Sequence, residues 1–123
     1  MLKKMKFVGV PTRDQERALQ FWTKQVGMVV VTDQPMGPGM RWIELKLPDA
    51  ETGIALFTPP GHEARVGQFT GISFGCDDVE KTHRELVERG VQFPQGPKKE
   101  PWGTSAIFAD AEGNSFVLAT MQD

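Results

Sequence analysis

One element occurs twice in this chain. Asp110-Ala111-Glu112-Gly113-Asn114 feeds the run Ser115-Phe116-Val117-Leu118-Ala119-Thr120, and Asp49-Ala50-Glu51-Thr52-Gly53 feeds Ile54-Ala55-Leu56-Phe57-Thr58. An acidic turn entering an alternating apolar run, used twice in 123 residues, points to an architecture built from a duplicated unit. The pairing extends further. Asp14 and Asp78, each suited to cap the start of a helix, lie 64 positions apart. Gly27 and Gly90, each suited to the left-handed position after a last helical turn, lie 63 apart, and Asp49 and Asp110 lie 61 apart. Three matched pairs in the same order are hard to obtain by independent coincidence.

The pattern between these markers defines the unit. Residues 5–10 (MKFVGV) read as a strand closed by Pro11, and Ala18, Phe21, Trp22 and Val26, with Leu19 beside them, form an apolar stripe at helical spacing. Residues 28–32 are rich in β-branched side chains and read as a strand; residues 33–39 (DQPMGPG) read as a loop, with the composition of a cover or a solvated hairpin. Residues 41–47 alternate, Ile43, Leu45 and Leu47 against Trp42, Glu44 and Lys46, as a half-buried strand does. Residues 54–58 close the first unit, and 59–68 (PPGHEARVGQ) form a linker. The order then repeats: a strand at 71–76, a helix at 78–89 with Val79, Leu86 and Val87 inward, and a short strand at 91–93. A second loop at 94–101 (PQGPKKEP), a strand at 104–109 and the final strand complete it. The fold class is therefore α+β, with two βαβββ modules at 5–58 and 69–121 in a single domain spanning 1–123.

Charge and cysteine usage exclude several classes. With a net charge of -2 and one short basic run, Lys3-Lys4-Met5-Lys6, the chain has no nucleic-acid footprint, and that run reads as a solvated chain end. Cys76 is the sole cysteine, so no internal disulfide can form. No stretch approaches the ~18 apolar residues of a membrane span, and the first residues lack a secretory leader pattern. A soluble cytoplasmic protein is the expectation.

Residues 7–28 (FVGVPTRDQERALQFWTKQVGM) resemble the opening of glyoxalase and bleomycin-resistance proteins: a strand, a short turn, then a helix with an aromatic pair and a Val-Gly end. Residues 69–91 and 108–118 (FADAEGNSFVL) are similar to the second half of the same family, the vicinal oxygen chelate superfamily. The resemblance implies that the paired modules form a curved mixed sheet around a cavity, and that two chains pair as a homodimer. It also implies a divalent metal held by one ligand from the first and last strand of each module. Placed residue by residue, those positions fall on Phe7, Ala55, Gly71 and Val117. None has a side-chain lone pair to offer a metal, so no metal and no cofactor is expected.

Strand parity sets the rest of the expected site. If Phe7, Ala55, Gly71 and Val117 face the cavity, Met5, Gly9, Gly53, Phe57, Ser73, Gly75, Ser115 and Ala119 do so too. Val8, Val10, Ile54, Leu56, Ile72, Phe74, Cys76, Phe116 and Leu118 then pack under the helices, with Cys76 a small buried hydrophobe. Trp22 belongs to the core, whereas Trp42 points to the cavity and Trp102 sits in the loop before the seventh strand. Aromatic walls suit planar or cationic ligands. The expected ligand contacts are thus Phe7, Trp42, Glu44, Phe57, Ser73, Trp102, Ser115 and Val117. Glu44 is also the one candidate for a general base, against the plainer reading of a surface ion paired with Lys46 or Arg41. His62 and His83 have no second histidine near them in sequence.

The leading expectation is a metal-independent small-molecule-binding protein that takes an aromatic or cationic compound, similar to the drug-sequestering branch of the family. Two other readings stand beside it: a glyoxalase/lyase- or dioxygenase-like enzyme with a non-standard site, and a structural or interaction module with a closed cavity.

Overall fold

The paired aspartates start the two helices. In the computed structural model, which describes residues 1–121, Asp14 accepts from the backbone N–H of Arg17 at 3.0 Å and Asp78 from that of Lys81 at 3.0 Å. Each satisfies a donor that a first helical turn leaves without an intrahelical partner. The helices are α1 (Gln15–Gln20) and α2 (Val79–Glu88). α1 continues as a wider π-helical segment, Phe21–Val26, and ends at Gly27 with φ 95°; its counterpart Gly90, after α2, has φ 88°. Only a residue without Cβ takes that backbone shape at little cost.

The strands among the described residues are β1 (Phe7–Val10), β2 (Val29–Pro35), β3 (Arg41–Lys46), β4 (Gly53–Leu56), β5 (Phe69–Cys76), β6 (Gln92–Glu100), β7 (Gly103–Ala109) and β8 (Ser115–Thr120). They form two four-stranded sheets of matching order, β1-β4-β3-β2 and β5-β8-β7-β6. In each, the first and last strands of the module run parallel and the other neighbours antiparallel. The fold is α+β, with two βαβββ modules. The chain divides into two compact units, Met1–Val66 and a second that starts at Gly67, so the division falls within the expected linker. That linker contains one short 3-10 turn, Glu63–Arg65.

Unit one buries one face of its sheet under its helix. Val10, Ile43, Leu45, Ile54 and Leu56 are buried together with Ala18, Phe21 and Trp22. Gln15 fastens the start of α1 to the sheet: its amide donates to the carbonyls of Arg41 and Leu56, the latter at 2.9 Å, and accepts from the Arg41 N–H at 3.1 Å. Unit two repeats the arrangement with Ala106, Phe108, Phe116 and Leu118 buried alongside Val79 and Leu86. Phe108 and Phe116 stack at 5.3 Å, and Phe74 approaches them at 5.8 and 6.0 Å.

The structure departs from the sequence pattern at four points. Residues 33–35 belong to β2, and most of the second expected loop, residues 94–100, belongs to β6. Both are edge strands, where a proline need not break a ladder bond on the open side. β6 absorbs Pro94, Gly96 and Pro97 through two register shifts against β7. Val87 faces outward, 47% exposed, because it lies about 100° around the helix from Leu86. Cys76, at the end of edge strand β5, is half-buried rather than buried.

Candidate functional site

The alternation of β3 divides its side chains cleanly. Ile43 and Leu45 are wholly buried against the helix side, while Trp42, Glu44 and Lys46 stand on the other face and are partly exposed. On that face the Trp42 ring meets Phe7 edge-on at 5.4 Å and lies tilted against Phe57 at 5.5 Å. The indole Nε1 of Trp42 donates to Glu44 Oε1 at 2.8 Å. Beside Glu44 the neighbouring strand presents Ala55, which in turn lies next to Gly9. Small residues there leave the aromatic rings and the carboxylate as the projecting groups of the face. Phe7, Trp42, Glu44 and Phe57, four of the expected contacts, are thus gathered into one patch within unit one.

Continuing along β3 past Glu44, the same face opens into a cleft of about 500 Å³. Lys3, Lys4, Lys6, Lys46, Glu44, Glu51, Val31, Leu45 and Gly53 line it. The preceding segment is held in place by Thr52, whose hydroxyl donates to the Met5 carbonyl at 3.0 Å. Gly53 cannot carry a side chain: a Cβ there would collide with the backbone carbonyl of Leu45. The basic run read from sequence as a solvated chain end is exposed, and it also forms one wall of this cleft. Composition could not have shown this, because the wall arises from where the β3–β4 turn brings Glu51 and Lys46.

The second unit places its expected contacts differently. Ser73 sits opposite Val117, and Ser115 opposite Ala109, so Ser73, Ser115 and Val117 share the face turned away from the Phe108–Phe116 core. Gly75, on the same face, lies beneath Met121: a Cβ at position 75 would come within 2.6 Å of the Met121 Cγ. Trp102 lies in the β6–β7 turn, 54% exposed. His83 packs edge-on against Phe93 at 4.5 Å, as a structural histidine does.

The polar groups with displaced acidities serve the scaffold. Arg41 bridges Asp33 at 2.7 Å and Glu16 at 2.8 Å; the guanidinium hydrogen bonds hold both carboxyls below their usual range. Arg41 is therefore engaged elsewhere and does not pair with Glu44, whose partner is Trp42. At the second acidic turn, burial pushes the Asp110 carboxyl up, opposed by hydrogen bonds from the Asn114 side chain at 2.8 Å and the N–H groups of Glu112 and Asn114. The Asn114 side-chain oxygen Oδ1 in turn accepts from the Gly67 N–H at 2.8 Å, tying the turn to the entry of β5.

The donor chemistry does not fit a resident divalent metal at the positions the resemblance implied. Phe7, Ala55, Gly71 and Val117 present hydrocarbon or no side chain at all. Among the described residues, no group of three or more His, Cys, Asp or Glu side chains is placed to hold a metal ion. Among the same residues, no helix is long and apolar enough to cross a membrane.

Two βαβββ modules of matching strand order, with an aromatic patch on the open sheet face of the first, define a chain of the duplicated-module class. The chain belongs to the Glyoxalase/Bleomycin resistance protein/Dioxygenase superfamily, whose model matches residues 4–118. It is 35% identical over 118 residues to the uncharacterized protein YetH of Bacillus subtilis (strain 168), covering 96% of this chain and 98% of that one. Among solved structures, TnmS3, an antibiotic binding protein from Streptomyces sp. CB03234, is similar at a TM-score of 0.85 and 33% identity over 98% of both chains. A Glyoxalase/bleomycin resistance protein/dioxygenase superfamily member from Sphaerobacter thermophilus DSM 20745 is similar at 0.88 and 32% identity, again over 98% of both.

Proposed function

We propose that this protein binds a planar aromatic small molecule without a resident metal, through the Phe7–Trp42–Phe57 patch and Glu44. The observation that carries this reading is the patch itself: the Trp42 ring in contact with both Phe7 and Phe57, with a carboxylate fixed to the indole. Ring stacking against such a surface contributes binding that tolerates a range of fused-ring ligands. The likeness to TnmS3, an antibiotic binding protein, supports the same reading. Metal independence rests on the hydrocarbon character of Phe7, Ala55, Gly71 and Val117.

For the second unit taken by itself, Ser73, Ser115 and Val117, and Trp102 at its turn, are the ligand-contacting residues we propose. The working form is a cytoplasmic homodimer, which light scattering of the purified protein at graded concentrations would test. The function itself is tested by a thermal-shift screen with planar aromatic metabolites and antibiotics. Concentration-dependent stabilisation that disappears in Trp42→Ala is the expected result. A flat response across the whole panel at high concentration would instead point to a closed, non-binding module.

A further inference from the structure

The cleft beside the aromatic patch has a charge of its own. Four lysines, Lys3, Lys4, Lys6 and Lys46, and two glutamates, Glu44 and Glu51, line it. Among the described residues none of the four ammonium groups takes part in an ion pair, whereas Lys98 and Lys99 elsewhere in the chain do. A chain of net charge -2 therefore holds a local excess of positive charge, four lysines against two glutamates, around one concave surface. One of the two glutamates is already occupied as the acceptor for Trp42. Walls of one predominant sign around a concavity concentrate the opposite charge there.

Cleft and patch are parts of one surface. Trp42, Glu44 and Lys46 are alternate residues of β3 and share its open face, so each step between them is about 7 Å. Gly53, in the cleft floor, pairs with Phe7, a member of the patch. A ring seated on Trp42 and Phe7 therefore has the lysine-lined cleft within about two such steps along the strand.

We infer that the ligand is an aromatic acid: fused rings rest on Phe7, Trp42 and Phe57, and an anionic substituent lies in the cleft among Lys3, Lys4, Lys6 and Lys46. This rests on the aromatic-binding function proposed above and specifies its ligand class. The flexible lysine stems let the ammonium groups follow a carboxylate, sulfonate or phosphate, which are alike as anions to such a wall. Glu44 stays hydrogen-bonded to Trp42 at the edge of the patch.

Three probes built on one naphthalene ring separate the possibilities: 2-naphthoate, its isostere 2-naphthamide, and 2-naphthylmethylammonium, titrated against tryptophan fluorescence of the full-length protein. The naphthoate is expected to bind about tenfold more tightly than the amide in low salt, with the margin narrowing as salt rises. The triple variant Lys4→Gln/Lys6→Gln/Lys46→Gln is expected to remove that margin while leaving amide affinity within about twofold. The substituted side chains are exposed or half-exposed, so the variant retains the fold, which its unfolding curve verifies. Equal binding of naphthoate and amide, or preference for the ammonium probe, overturns the anionic ligand but leaves aromatic binding intact. Failure of all three probes to bind overturns both, and the two results are distinct on the same plot.

Discussion

Trp42 Nε1 donates to Glu44 Oε1 at 2.8 Å, and the two residues stand two apart on the open face of β3. The bond fixes the tilt of the indole between Phe7 and Phe57 and keeps a carboxylate at the edge of the ring patch. Replacing Trp42 by Leu removes two aromatic contacts and a hydrogen bond. The expected stability loss is about 2 kcal/mol in urea unfolding. Glu44→Gln keeps an acceptor oxygen in place and should lose less than about 1 kcal/mol. A Trp42→Leu protein as stable as the parent would show that the rings do not support one another.

Gly53→Ala tests the floor of the cleft. The added methyl has no room beside the Leu45 carbonyl, so β4 must shift against β3. Destabilisation of about 1–3 kcal/mol is expected, measured as a lowered urea midpoint with an unchanged slope. Gly75→Ala is expected to cost less, because the atom it meets belongs to the flexible Met121 side chain. Comparable losses at the two positions would contradict this.

The two helix caps are equivalent by geometry, each accepting from the third helical residue at 3.0 Å. Asp14→Ala and Asp78→Ala should therefore each cost about 1 kcal/mol. Thermal unfolding of both variants measures this; a loss confined to one helix would deny the equivalence.

Asp33 and Asp110 are expected to titrate on opposite sides of an ordinary aspartate. The Arg41 guanidinium lowers Asp33, so its stabilising contribution is present above the usual carboxylate range and is lost as pH falls through the lowered value. Exposure keeps that contribution small. Asp110 is raised, chiefly by burial, so the folded state holds its proton more tightly than the unfolded chain. Its ionised form therefore costs stability at neutral pH, and that cost fades as pH falls through the raised value. Carboxyl carbon shifts followed by NMR from neutral to acid pH should place the Asp110 midpoint above that of Asp33. The reverse order would refute the assignment of burial as the dominant cause at Asp110.

Much of this fold could be read from the chain because its strongest signals are local. Asp14, Asp78, Gly27 and Gly90 act within one helical turn, and the alternation of residues 41–47 reports directly which side chains face the core. The prolines misled because their meaning depends on partners far away in sequence. Pro35, Pro94 and Pro97 sit in strands whose outer edges have no neighbour in the sheet, a property set by sheet order and not by the local residues. The site divides the same way. Parity put Trp42 and Glu44 on the open face beside Phe7 and Phe57, whereas the lysine wall needed the three-dimensional course of residues 3–6 past the β3–β4 turn.

The most direct test is a calorimetric titration of a fused-ring aromatic ligand, identified by thermal shift, into protein freed of metals by prior dialysis against a chelator. Saturable binding of one ligand per chain, with affinity unchanged by the chelator treatment and abolished in Trp42→Ala, is the expected result. Binding that appears only after a divalent metal is restored, with one ion retained per chain, would contradict the account.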